Sequence, residues 1–123
     1  MRFRIRMGVP GMLSFWNDLT LRHAAGTLTS QERKLFKQVT KALFLLERNP
    51  RHNSLQSHEI LPLSKRAGYK VFQSYLENRT PAAGRIYWAY GPNEGDISIV
   101  GVEPHPEDQK SRGYDTVRLS EMP

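Results

Sequence analysis

The sequence predicts an α+β protein in which an antiparallel β-sheet carries two N-terminal helices on one face. Three observations lead to this fold class: a strictly alternating segment at residues 2–7, two helical segments after it, and three strand-like runs joined by short turns. The chain has 123 residues, of which 38% are hydrophobic. This length fits a single domain, residues 1–123, with a modest core.

The first half of the chain predicts one strand and two helices. In residues 2–7, arginines alternate with Phe3, Ile5 and Met7, which is typical of a strand buried on one side. Met12 to Ala25 has apolar residues at helical spacing and is followed by a glycine. In the next helix, Thr29 and Glu32 form a capping-box pattern, and Asn49-Pro50 marks its end.

The second half predicts a long connection and three strands. Residues 51–68 are polar, and we expect them to be irregular. Strands are predicted at Tyr69 to Leu76, Arg85 to Tyr90 and Ile97 to Val102, with a hairpin turn at residues 91–95. In the middle strand, alternation buries either Tyr87 with Ala89 or the set Ile86, Trp88 and Tyr90, and we expect the second set inside. Residues 103–123 have weak patterning and favour a short helix or a tail.

The composition indicates a soluble, basic protein with a polyanionic partner. The net charge is +6, and residues 48–85 hold seven basic and two acidic side chains, an excess of five. The chain contains no cysteine, which excludes disulfides and thiolate metal sites and is compatible with a reducing cytoplasm. The N-terminus lacks the apolar core of a signal peptide, and no apolar run approaches the roughly 20 residues of a membrane span. We therefore expect a cytoplasmic protein without a membrane partner.

Three passages, in this order and spacing, resemble the RelE/ParE toxin superfamily. "LERNPRHNSL" is similar to the family's helix end, and "YKVFQSYLENRTPAAGRIYWAY" to its strand pair. "ISIVGVEPHPED" is similar to the final core strand, which delivers a basic or imidazole side chain at its C-terminal end. The resemblance spans about Phe3 to Tyr114.

The resemblance implies the toxin of a type II toxin–antitoxin system, with a β-α-α-β-β-β order of elements. Its RelE, YoeB and HigB branches imply an endoribonuclease that cuts mRNA in the ribosomal A site. Its ParE branch implies a gyrase poison without nuclease activity. Both kinds are neutralised by a cognate antitoxin, so the expected partners are an antitoxin and mRNA, with no cofactor.

RNA cleavage without a metal uses the 2′-hydroxyl as nucleophile and needs a base, an acid and fixed cations. Arg85 matches the family's arginine at the start of a strand, and its guanidinium is suited to phosphate. His105 lies where the family has a catalytic Arg or His, and an imidazole titrates near neutral pH. The alternatives are a structural arginine paired with a carboxylate and a histidine in a turn without a chemical role.

Lys70 matches the first basic residue of the family's strand, but Phe72 stands where the RelE branch has a second lysine. Tyr114 matches a C-terminal tyrosine that stacks on a base or assists proton transfer. Lys65, Arg66 and Arg79 are candidate RNA-binding cations, although loop charges without a ligand are common. Because Phe72 replaces this second lysine, the resemblance leaves open which residues would carry out the RelE mechanism.

Two histidines and a glutamate in the polar connection, His52, His58 and Glu59, are secondary candidates for acid–base chemistry. The spacing of these residues matches no known metal site. Three functions therefore stay open: an RNA endonuclease, a gyrase-inhibiting toxin, and a non-catalytic basic domain that binds nucleic acid or a partner. Arg85, His105 and the basic stretch favour the first.

Overall fold

The computed structural model describes residues 2–76 and 84–103 of the chain. This part is an α+β structure with three helices and a five-stranded sheet. The elements in chain order are β1 (Arg4–Met7), α1 (Pro10–Ala25), α2 (Ser30–Arg48), β2 (His58–Glu59), α3 (Leu61–Ala67), β3 (Phe72–Tyr75), β4 (Arg85–Tyr90) and β5 (Asp96–Glu103), with a 3₁₀ turn at Asn53–Leu55.

The sheet is mixed, with the strand order β1-β5-β4-β3-β2. Strands β3, β4 and β5 pair antiparallel, as predicted, and the unpredicted β2 pairs antiparallel with β3. Strand β1, however, pairs with β5 in parallel, from Arg4 opposite Asp96 to Met7 opposite Ile99. The prediction of a purely antiparallel sheet is therefore wrong. Parallel neighbours need a long crossover, and all the other described elements lie between β1 and β5 in the sequence.

Helices α1 and α2 form where the pattern predicted them. Gly26 ends α1 in the left-handed conformation, with φ of 73°. The predicted capping box begins α2: the Glu32 backbone N–H donates to Thr29 Oγ1 at 3.1 Å, and the Thr29 N–H donates to Glu32 Oε1 at 2.9 Å. Arg22 of α1 donates to both carboxylate oxygens of Glu32 at 2.7 Å. This pair ties the helices together and lowers the pKa of Glu32 to about 2.

The connection at residues 51–68 is more ordered than expected, so the prediction of an irregular segment is wrong. It contains β2 and the seven-residue helix α3, which has a proline in its first turn and ends at Gly68 with φ of 84°. Its apolar residues Leu55, Ile60 and Leu63 are buried in the core. Because α3 spans only two turns, it offers too few residues for a helical periodicity to be recognised.

One face of the sheet is apolar and shares a core with the two long helices. Alternation and register place Ile5, Ile97, Ile99 and Trp88 on this apolar face, and they belong to the same cluster as apolar residues of α1 and α2. Phe72 also lies here, stacked on Trp88 with ring centroids 4.8 Å apart.

Strand β4 is buried on both sides over four consecutive residues, Ile86 to Ala89. The predicted inward set was therefore only partly right. Tyr87 and Ala89 are as buried as Ile86 and Trp88, whereas Tyr90 is 43% exposed. β4 is a central strand with neighbours on both edges, and its last residue lies at the end of the sheet.

Candidate nucleic-acid interface

The second face of the sheet carries the arginines of β1 and β4, and we call it the arginine face. Alternation and register place Arg4, Arg6 and Arg85 on it. Arg4 and Arg6 lie on β1, and Arg85 begins β4, two strands away. From strand spacing and rise, Arg6 and Arg85 are separated by roughly 16 Å between their Cα atoms. Of these three arginines, Arg4 is exposed, and Arg6 and Arg85 are half-buried.

Hydrogen bonds to β5 hold the two β1 arginines. Arg4 Nε donates to Asp96 Oδ1 at 2.8 Å, and Arg6 Nη1 donates to Ser98 Oγ at 3.0 Å. The Ser98 hydroxyl in turn donates to the Gly91 carbonyl at 2.6 Å. The bond from Arg4 lowers the pKa of the buried Asp96 carboxyl. The Arg4 side chain remains 73% exposed, so it still faces solvent.

Arg85 is half-buried at the first position of β4. Its backbone lies opposite Tyr75 at the end of β3 and opposite Glu103 at the end of β5. Two buried polar residues, Tyr87 and Gln73, form the next cross-strand pair on the same face. Arg85 therefore lies where the end of β3, the start of β4 and the end of β5 are side by side.

The hairpin of β4 and β5 has the predicted geometry. The start of β4 lies beside the end of β5, because the two strands pair antiparallel from Tyr90 opposite Ile97 to Arg85 opposite Glu103. His105 follows two residues after Glu103 and lies outside the described residues, as do Tyr114 and Arg79.

Lys70 does not lie near Arg85. It is exposed and precedes β3, five residues before the Tyr75 that pairs with Arg85. At the rise of a strand this separation is roughly 16 Å. Lys65 and Arg66 are exposed in the last turn of α3. Of the described site residues that the sequence predicted, none is therefore brought next to Arg85.

Sequence reasoning missed the cations of the N-terminal part of the chain. The net charge of the residues outside 48–85 is +1, and this value is the sum of two opposite contributions. Residues 1–47 hold eight basic and three acidic side chains, and residues 86–123 hold three basic and seven acidic ones. The first 47 residues are thus as basic as the central stretch. Arg4 and Arg6 of β1 and a row of lysines on α2 belong to this excess.

The two histidines of the polar connection are not assembled into a site. His52 Nδ1 accepts a hydrogen bond from the Ser54 N–H at 3.1 Å, which caps the 3₁₀ turn. His58 is exposed on the edge strand β2, with Nδ1 3.0 Å from the Gln56 carbonyl oxygen. In residues 2–76 and 84–103, no three His, Cys, Asp or Glu side chains are grouped so that they could hold a metal ion. Nor is any helix of this part long and apolar enough to cross a bilayer.

Comparison with known proteins gives no match of any kind: no protein-family model, no curated protein and no solved structure is similar enough to this chain. The class that the coordinates define is an α+β protein with a mixed sheet and a basic surface. The RelE/ParE resemblance rests on the residues of the chain alone.

Proposed function

We propose that this protein is the toxin of a type II toxin–antitoxin system and that it cleaves mRNA without a metal. The basic composition, the three passages similar to the RelE/ParE superfamily and the arginine face support this function. If β2 and α3 are counted as an insertion, the remaining described elements follow the order β-α-α-β-β-β that the resemblance implies.

The observation that carries the proposal is the pairing of Arg85 with the end of β5. Because Arg85 lies opposite Glu103, the chain leaves β5 beside the guanidinium-bearing residue, two residues before His105. A phosphate-binding cation and an imidazole near one another would supply the fixed cation and either the acid or the base that 2′-hydroxyl attack requires.

In the proposed reaction the 2′-oxygen attacks the adjacent phosphorus, the bond to the 5′-oxygen breaks, and a cyclic phosphate forms. Arg85 holds the phosphate oxygens through its planar donors and stabilises the charge that develops on them. His105 accepts the proton of the 2′-hydroxyl or donates one to the leaving 5′-oxygen, and Tyr114 or a water molecule makes the other of these two transfers. Lys70, which lies roughly 16 Å from Arg85, joins Lys65, Arg66 and Arg79 as a candidate for binding RNA.

The expected partner is a cognate antitoxin with an acidic or amphipathic segment. Such a segment would neutralise the arginine face and block RNA at the same time. A toxin controlled in this way acts in the cytoplasm, on mRNA that is being translated.

Induced expression followed by primer extension on cellular mRNA tests the proposal. We expect growth arrest and cuts at defined codon positions for the parent, and neither for Arg85→Ala. Arg51→Ala is the matched control, because Arg51 is an exposed arginine outside the sheet. Growth arrest without cuts in mRNA, if a gyrase variant that resists the toxin relieves the arrest, would instead support a ParE-like toxin. A harmless protein that binds RNA without cutting it would support a non-catalytic domain.

A further inference from the structure

A groove of about 680 Å³ runs along the outer side of α2, away from the arginine face. It is lined by the rings of Phe36 and Phe44 and by the cationic side chains of Arg33, Lys34, Lys37 and Lys41, together with His23 and Thr40. No acidic side chain of the described residues lines it. The groove therefore combines aromatic surface with uncompensated positive charge.

Of the two rings, that of Phe44 is the accessible one. Phe36 is stacked on Trp16 and on His23, with centroid distances of 5.2 Å and 4.1 Å, so these neighbours occupy its ring faces. Phe44 is 51% exposed, even though the Arg48 guanidinium lies 3.5 Å from its ring centroid. An exposed flat ring of this kind is a surface on which a nucleobase can stack.

The three lysines form a row, which we call the lysine track. They stand at i, i+3 and i+7 of α2, so they share one side of the helix over roughly 10 Å. All three are exposed, and within the described part of the chain none forms an ion pair or a side-chain hydrogen bond. Like charges at this spacing repel one another, and folding does not require them.

A second groove of about 300 Å³ lies on the other side of the track and leads toward the sheet. The same three lysines line it, together with Leu76. The Leu76 backbone N–H donates to the Gly84 carbonyl at 3.1 Å, and Gly84 directly precedes Arg85. The second groove therefore reaches Leu76 at the end of β3, on the face of the sheet that carries the helices and opposite to the side chain of Arg85.

We propose that the lysine track and the Phe44 ring bind single-stranded RNA. The inference rests on the proposed function for the identity of the nucleic acid. Lysines take the phosphates as point charges, and the Phe44 ring takes a base without reading its sequence. An amphipathic protein helix fits less well, because Thr40 separates Phe36 from Phe44 in the lining of the groove, where a helix needs a continuous row of apolar pockets.

Binding of a fluorescein-labelled 2′-O-methyl oligouridine of about 12 nucleotides tests the track, because the blocked 2′-oxygen allows binding without cleavage. We compare the parent with K37Q/K41Q over a range of salt concentrations. Removing two phosphate contacts should reduce the slope of log K against log[salt] by about 1.4 and weaken binding roughly 25-fold at about 0.1 M salt. Phe44→Leu should weaken binding about fivefold or more with an unchanged slope.

R2Q/R51Q is the matched control, since it removes two charges from exposed arginines that do not line either groove. It should leave the affinity and the slope close to those of the parent. The proposal is overturned if the parent does not bind the oligonucleotide, or if K37Q/K41Q and R2Q/R51Q bind it alike. It is also overturned if K37Q/K41Q loses only a glutamate-rich amphipathic peptide, which would assign the groove to a protein partner.

These results separate the track from the proposed cleavage. A protein that binds through the track but cuts no mRNA would contradict the proposed function and leave the track intact. A protein that cuts mRNA through Arg85, with oligonucleotide binding unchanged in K37Q/K41Q, would contradict the track alone.

Discussion

Arg85 is the side chain that most directly links the sheet to the proposed chemistry. Replacing it with alanine should cost roughly 2–4 kcal/mol of transition-state stabilisation, as is common when one charge-stabilising donor is removed. Cleavage rates of a purified RNA substrate measure this loss. Arg85→Lys should recover only part of it, because lysine keeps the charge but loses the planar pair of donors. Equal rates for the parent and Arg85→Ala would contradict the assignment.

His105 is expected to contribute about 10²–10⁴-fold in rate as an acid or a base. The pH dependence of cleavage distinguishes this role from a structural one. His105→Ala should lower the rate and remove one limb of the pH profile near neutrality, whereas loss of stability alone would leave the shape of the profile unchanged. Antitoxin binding should be retained in the variant, which reports that the protein is folded.

Asp96 makes the stability of the sheet depend on pH. Its pKa is lowered in the folded protein by Arg4, so its contribution is fully present above the pKa of the unfolded chain and is lost as the pH falls through the lower, folded value. Asp96→Asn should therefore lower the free energy of unfolding at neutral pH and have a shrinking effect in acid. Urea unfolding at several pH values measures this. Glu94→Gln, an exposed change in the adjacent turn, is the control, and a difference for Asp96→Asn that does not vary with pH would contradict the linkage.

Helix α2 depends on the capping box that its sequence predicted. Thr29→Ala removes the acceptor for the Glu32 N–H and should lower the free energy of unfolding by about 1 kcal/mol. Thermal and urea unfolding measure the change. Thr20→Ala, an exposed threonine inside α1, should instead raise the free energy of unfolding by about 0.5 kcal/mol, because alanine has the higher helix propensity. Equal effects of the two substitutions would show that the cap does not stabilise α2.

A buried hydroxyl connects β3, β4 and the segment before β2. Trp88 Nε1 donates to Ser74 Oγ at 2.8 Å, and Ser74 Oγ is also 2.6 Å from Ser57 Oγ. Ser74→Ala leaves the buried indole N–H without its acceptor and should cost about 1–3 kcal/mol. The free energy of unfolding from urea titration measures this cost, and a neutral substitution would mean that another acceptor replaces the serine.

The longer single elements and the pairing of strands adjacent in the sequence were predicted correctly, whereas the pairing of distant strands and the short helix α3 were not. The alternation of Arg4 and Arg6 with Ile5 correctly separates the two faces of β1. It contains no information about the neighbouring strand, so the parallel pairing with β5 was missed. Helix α3 was missed because it is short, although Pro62 in its first turn and Gly68 after its last were available as signals.

The basic surface of α2 was missed for a different reason. The regular spacing of Lys34, Lys37 and Lys41 is visible in the sequence, but the charge of the N-terminal part was added to that of an acidic C-terminal part. Charge acts locally, over roughly a Debye length of 10 Å, so it has to be summed over a surface and not over the chain. The hairpin that brings Arg85 beside the end of β5 was predictable, because its two strands are adjacent in the sequence.

Considered as one body, the described part of the protein carries two sets of spaced cations on opposite sides of the sheet. The arginine face has Arg4, Arg6 and Arg85, and the lysine track lies along α2, which packs on the apolar face. The proposed cleavage uses the first set, and the proposed binding of single-stranded RNA uses the second.

The most direct test of the central claim is primer extension on cellular mRNA after induced expression of the parent, Arg85→Ala and Arg51→Ala. The account predicts cuts at defined codon positions for the parent and for Arg51→Ala, and none for Arg85→Ala present at the same level. Intact mRNA in cells that express the parent, or the same cuts in cells that express Arg85→Ala, would contradict it.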